Sequence, residues 1–242
     1  MRHKLFASRQ QGVTLVSLLV GLVVAMIAIL AMLTLYRTAV HVTVQSEESA
    51  QIAGDRSAAM LTAHRVLQNI GFGVLDAQLE DQDVLKQCDS ISLGSGNYQL
   101  SGCDKVNPDT EIDDVLIWRY ETFSDPAVPP TGWCEGLAID NGSLFYLRPQ
   151  GCASLNVTSW AETEVARLFP SSARVSGGLH KLEFSADSCR PFGIQGATAA
   201  HSVSLVAHHP ISDPPSEDPS ESEDPIYIQF RMQTCLTNLS AI

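Results

Sequence analysis

The most reactive side chains in this sequence are six cysteines, Cys88, Cys103, Cys134, Cys152, Cys189 and Cys235. None belongs to a CxxC pair, so neither a zinc ribbon nor a dithiol redox motif is indicated. Even number, wide spacing and a position downstream of a long apolar stretch point to disulfides made in an oxidising compartment. Chain order favours Cys88 with Cys103, Cys134 with Cys152 and Cys189 with Cys235, although spacing alone selects no single connectivity. The remaining chemistry is sparse. The sequence contains no GxSxG, HExxH or P-loop. Gly94-Ser95-Gly96 is followed by no Lys-Ser or Lys-Thr and is not a phosphate loop. His208 and His209 adjoin an acidic run, but adjacent side chains on an extended segment point opposite ways, and no glycine-organised calcium spacing accompanies them. The expectation is a protein that is not an enzyme and takes no cofactor and no metal.

Two large elements must position these cysteines. Residues 13–36 carry no charge over 24 positions, directly after Gly12 and a short leader holding Arg2, Lys4 and Arg9 but no acid. As a helix rising 1.5 Å per residue this stretch covers about 36 Å, more than the roughly 30 Å hydrocarbon core of a bilayer. The basic leader should stay cytoplasmic. An ordinary secretory signal has a shorter apolar core followed by a small-residue cleavage site. Here the glycine precedes the apolar run, so a cut there leaves the helix on the mature chain. The whole chain of 242 residues has 15 basic and 27 acidic side chains, net −12. Losing residues 1–12 removes three basic residues and no acid, leaving twelve against 27, or −15. Such acidity repels phosphate backbones, so no direct nucleic-acid binding is expected.

No proline occurs before Pro108, so the helix is free to continue through residues 37–73. Ala53, Met60, Ala63, Leu67, Ile70 and Val74 recur at helical spacing and predict an amphipathic second half packed on the rest of the protein. Val40, Val42 and Val44 alternate instead, and Gly54 is a poor helix former. Gly71 and Gly73 mark the expected end. Residues 74–242 read as a β-rich head. Residues 88–103 look like a hairpin closed by its cysteines, and 114–120 form a clear strand. Residues 136–140 and 143–147 flank Asn141-Gly142, which suits a type I′ turn and sets Asp140 opposite Ser143. That register places Cys134 and Cys152 at the same end of the ladder. Residues 160–170 suggest a short helix ended by Pro170, and strands are expected over 179–185, 203–207 and 226–236. Residues 210–225 form an acidic, proline-rich solvated loop interrupting the head.

Gln11-Gly12-Val13-Thr14-Leu15-Val16-Ser17-Leu18-Leu19-Val20 resembles the class III signal of type IV prepilins and pseudopilins. The resemblance implies cleavage by prepilin peptidase between Gly12 and Val13, N-methylation of Val13, and a type IV pilin-like α+β fold. Two positions depart from the pattern: Val13 stands where Phe is usual, and Ser17 replaces the glutamate usual at the fifth mature position. Asp114, Leu116, Arg119 and Tyr120 are similar to the DxLxxRY segment of PilW-type minor pilins, as is the aromatic strand ending at Cys152. Membership there implies insertion in the bacterial inner membrane with a periplasmic head, then assembly into a pilus tip or initiation complex. The implied partners are membrane lipid before assembly, the inner-membrane assembly platform, and other minor and major pilins. In that compartment the sequon-like triplets at 141, 156 and 238 are chance matches. An unpaired carboxylate in lipid costs about 2.5–3.5 kcal/mol on insertion scales, so Ser17 avoids a penalty and forgoes a pairing. That trade suits a specialised position better than a repeating one.

A minor pseudopilin of a type II secretion system uses the same signal and is the nearest alternative. An uncleaved membrane-anchored binding protein or enzyme is the alternative of another class. N-terminal mass spectrometry of the chain expressed with active prepilin peptidase should find a methylated Val13; an intact Met1 would remove the pilin reading.

Overall fold

In the first 22 helical residues apolar side chains cover every face, and the exposed stretch beyond them is polar, so neither forms a stripe requiring a strand. The computed structural model describes residues 15–75, 77–78, 83–106, 114–123, 129–169, 180–185, 189–191, 199, 201–210 and 227–239. One helix, α1 (Leu15–Leu67), takes up 53 of these residues. The alternating Val40, Val42 and Val44 are helical and exposed. Their β propensity yields because a strand there would have no sheet to join. The chain divides into two compact units, Met1–Ala53 and Gly54–Ile242.

Among its described residues the second unit contains the last turns of α1 and ten strands. A seven-stranded antiparallel sheet is built from β1 (Leu85–Gly94), β2 (Asn97–Lys105), β3 (Val115–Thr122), β4 (Thr131–Asp140), β5 (Ser143–Gly151), β6 (Ser159–Ala161) and β7 (Val165–Phe169). Their order across the sheet is β6-β2-β1-β3-β4-β5-β7. A second sheet has β8 (His180–Ser185), β9 (Ser202–Pro210) and β10 (Tyr227–Cys235) in the order β10-β9-β8. The large sheet is buried on both faces. Val115, Ile117, Cys134, Ala138 and Leu147 share one core with Cys88, Leu100 and Trp160. The alternate residues Leu116, Trp118 and Leu137 are fully buried too. Strand β3 therefore reads as an unbroken apolar run rather than an alternating one.

Hairpin β4–β5 turns at Asn141 (φ 49°) and Gly142 (φ 74°), with Asp140 opposite Ser143 as the sequence indicates. The ladder slips between Cys134 and Gly136, where β5 spends an extra residue around Arg148-Pro149. Proline has no N–H to give a ladder, and a bulge is where a strand tolerates it. Three disulfides join Cys88–Cys103, Cys134–Cys152 and Cys189–Cys235. The first links directly opposed residues of β1 and β2.

Residues 160–170 depart from the expected helix. Ser159–Ala161 is β6, Glu162–Glu164 a single 3-10 turn, and Val165–Phe169 is β7. A helix would have left the outer edge of β5 without hydrogen-bond partners. As strands, the segment gives β5 a partner from Leu147↔Val165 to Leu144↔Phe169 and sinks Trp160 completely into the core. The helix stripe is buried as expected at Ala63, Leu67 and Ile70 but begins differently. Ala53 is exposed, whereas Arg56, Ala59, Ala63, Val66, Leu67 and Ile70 are buried. Regular helix stops at Leu67, and turns carry the chain through Gly73. The acidic loop 210–225 lies outside the described residues except Pro210, which ends β9.

Those turns dock on β3. Gly71 N–H donates to Arg119 O (3.2 Å), and Glu121 N–H to Phe72 O (2.8 Å). Gly73 has φ 74°, and a Cβ there would sit 2.4 Å from Glu121 O. Gly73→Ala should therefore destabilise the head by about 1–3 kcal/mol. Gly94→Ala, where a Cβ meets nothing within 4 Å, should stay within about 1 kcal/mol of the parent. Denaturant unfolding followed by tryptophan fluorescence compares the two.

Candidate functional site

Two features stand out, one in each unit. In the first, every residue from Leu15 to Tyr36 is exposed. The most apolar 18-residue window has a mean hydropathy of 2.9, with none of it buried. By length and composition this one N-terminal helix is able to cross a membrane. Its apolar surface is far too extensive for water, so lipid or other protein must cover it. Gly12 and Val13 lie outside the described residues; Ser17 is on the exposed helix. Along one face Ser17 is followed by Gly21, Ala25 and Ala28 at spacings of four, four and three. Small residues in that pattern let a second helix backbone come close in an apolar medium. The sequence carries this stripe openly, but total hydrophobicity masks it.

In the second unit a buried carboxylate gathers four elements. Glu135 of β4 has no exposed surface. Its Oε1 accepts from Trp118 Nε1 of β3 (2.9 Å) and from Asn69 Nδ2 in the turn after α1 (2.9 Å). Its Oε2 accepts from Tyr146 Oη of β5 (2.6 Å). Burial pushes the Glu135 carboxyl above its ordinary value, and the hydrogen bonds from Tyr146, Asn69 and Trp118 oppose that shift. Burial, and then the bond to Glu135, holds the Tyr146 hydroxyl far above the usual phenol range. Tyr120 is raised as well, by burial and by the Glu135 charge. Glu135 sits in the slipped part of the β4–β5 ladder, where the strand path departs from strict alternation. An acid flanked by Trp133, Cys134 and the apolar 136–139 is an available sequence signal for this site, since a charge in a doubly buried strand needs partners.

A second buried charge, Arg56 on α1, lies between the rings of Phe169 (5.5 Å) and Phe230 (5.6 Å). These residues come from β7 and β10, edge strands of different sheets, so the guanidinium touches both sheets. Its pKa is lowered by burial. Further along, His64 Nδ1 shares a hydrogen bond with Thr234 Oγ1 of β10 (2.6 Å). His201 stacks on Phe184 and is pushed below the usual imidazole range by burial. The backbone pairs His208 with Gln229 and His209 with Ile228 at the end of β9. Among the described residues no three His, Cys, Asp or Glu side chains gather to hold a metal. Arg119 of the DxLxxRY segment pairs with Glu121 on its own strand, while Asp114 O accepts from Ile139 N–H (2.6 Å).

Searches of protein-family models, curated proteins and solved structures find no match to this chain.

The arrangement around Glu135 fastens the turn after the helix to three strands of the sheet. A carboxyl whose pKa is raised on folding favours the native state when protonated. Its contribution is fully present below the unfolded value and is lost as pH rises through the raised native value. Glu135→Gln keeps an acceptor for Trp118 and Asn69 and turns an N–H toward the Tyr146 oxygen, so it should fold. The parent's melting temperature should step down as pH rises above the ordinary carboxylate range, and the variant's should not. Glu135→Leu strands three donors and should cost about 3 kcal/mol or more. Circular dichroism melts of all three chains from pH 4 to 8 measure both effects.

Proposed function

We propose that this chain is a minor pilin, PilW-like, which acts by assembly: held in the bacterial inner membrane, cleaved after Gly12, and built with other pilins into the tip or initiation complex of a type IV pilus. The observation that carries this reading is the helix α1 itself. Its exposed, uncharged first part is fit for lipid or for a filament core. Its last turns, from Arg56 to Leu67, are built into a β-rich head with three disulfides. A simple membrane anchor needs only the span and gains nothing from a helix that also forms part of the head's core.

The same surface must serve two environments in turn. In the membrane the apolar residues face lipid tails; in a filament they face the equivalent helices of neighbouring pilins, which are just as apolar. Transfer between the two therefore costs little hydrophobic free energy, and shape decides the outcome. The stripe of Ser17, Gly21, Ala25 and Ala28 supplies a shape that accepts a neighbouring helix. Ser17 brings no carboxylate to be neutralised there, which suits a subunit placed once rather than repeated.

Co-purification from inner membranes with the other small prepilins, with contacts mapped by crosslinking, tests the proposal. Gly21→Leu should cut the crosslinked fraction by about tenfold, the equivalent of 1.4 kcal/mol, while leaving membrane insertion and head stability unchanged. Equal crosslinking in the variant would dismiss the stripe as the contact. Quantitative blotting that finds the chain along the whole shaft at major-subunit abundance would overturn the tip assignment.

A further inference from the structure

Between the end of α1 and the end of β10 lies a cleft of about 760 Å³, within the size range of small-molecule sites. Gln68, Phe72, Arg190, Gln233, Thr237 and Asn238 line it, with the Cys189–Cys235 disulfide as part of its wall. The orientation of its carboxamides is informative. Asn238 Nδ2 donates to Gln68 O (2.8 Å) and Ile70 O (3.2 Å). Carbonyl oxygens only accept, so both amide hydrogens are used and Oδ1 is left as an acceptor. Gln233 Nε2 donates to Ser202 Oγ (2.8 Å), and Gln68 Nε2 is 3.2 Å from His64 Nε2. All three amide nitrogens are thus engaged inside the protein, and no described residue donates to the three amide oxygens.

We infer that this cleft binds a neutral saccharide. Three fixed acceptor oxygens and the Thr237 hydroxyl call for a ligand dense in O–H donors. Arg190, exposed and carrying no acid among the described lining residues, donates to the ligand's ether and hydroxyl oxygens. Phe72, half-exposed and anchored through its backbone to Asn69 and Glu121, offers a flat apolar surface for the C–H face of a sugar ring. A phosphate or carboxylate ligand fits poorly, because three lone-pair-bearing oxygens oppose its charge and one guanidinium favours it. An extended peptide fits less well, since each N–H donor comes with a carbonyl that meets the same acceptors. The inference is independent of the pilin proposal, because it concerns a cleft formed within one chain.

The test uses the full chain in lipid nanodiscs, which avoids sugar-headed detergents. Calorimetry and saturation-transfer NMR are run with maltotriose, cellotriose, chitotriose and mannotriose, with sialyllactose as the acidic comparison and tetraglycine as the peptide one. At least one neutral trisaccharide should bind with a Kd of about 1 mM or tighter. Phe72→Ala and Arg190→Gln should each weaken it by about tenfold without changing the melting temperature. The proposal is overturned if no neutral trisaccharide binds at about 10 mM, a Kd range too weak to count as a site. It is equally overturned if both variants bind as the parent does, or if only sialyllactose or tetraglycine binds.

Discussion

A carboxylate that water does not reach must find its donors within the protein, and Glu135 finds them on three separate elements. Asn69 belongs to the turn after the helix, Trp118 to β3 and Tyr146 to β5, while Glu135 itself rides on β4. Each of these donors is half or fully buried, so losing any one leaves the carboxylate short of a hydrogen bond and its charge poorly solvated. The node therefore sets where the helix must end relative to the sheet. Turns 68–73 satisfy that condition by docking Gly71 and Phe72 on Arg119 and Glu121 of β3.

The rest of the head follows from holding a helix on the face of a twisted sheet and beside a second, smaller one. The edge strands β7 and β10 each bring a phenylalanine to one position on the helix. Arg56 fills it with a flat cation that two phenylalanine rings cover, a geometry that a lysine's point charge would satisfy less well. Further along, His64 and Asn238 bind α1 and its following turn to β10 and the residues after it. The cleft lies between these contacts, and its polar lining is partly a by-product of them. The amides that fasten the chain also line the cleft.

Much of this was open to reading from composition and pattern. An uncharged stretch of bilayer length has few other uses, and helix periodicity, turn dipeptides and cysteine order are local signals. The hairpin at Asn141-Gly142 appears where the dipeptide places it because only residues at ease with positive φ make that turn. Residues 160–170 misled because their local preference is helical while their partner, the free edge of β5, lies some 20 residues earlier in the chain. The stripe 53–74 held at Ala63, Leu67 and Ile70 but missed its start at Arg56 for a related reason. Arg56 counts as a surface residue on any hydropathy scale, and only the two rings from β7 and β10 make its burial tolerable.

Sequence by itself determined the apolar span, its basic flank, the tight turns and the excess of acid, because each depends on residues adjacent in the chain or on simple sums. Tertiary structure alone decided the partners of Glu135, the seat of Arg56, the strand character of 165–169 and the orientation of the amides in the cleft. Those depend on contacts between residues far apart in sequence, and a buried polar group takes its role from whatever donors and acceptors the fold happens to bring within hydrogen-bonding reach.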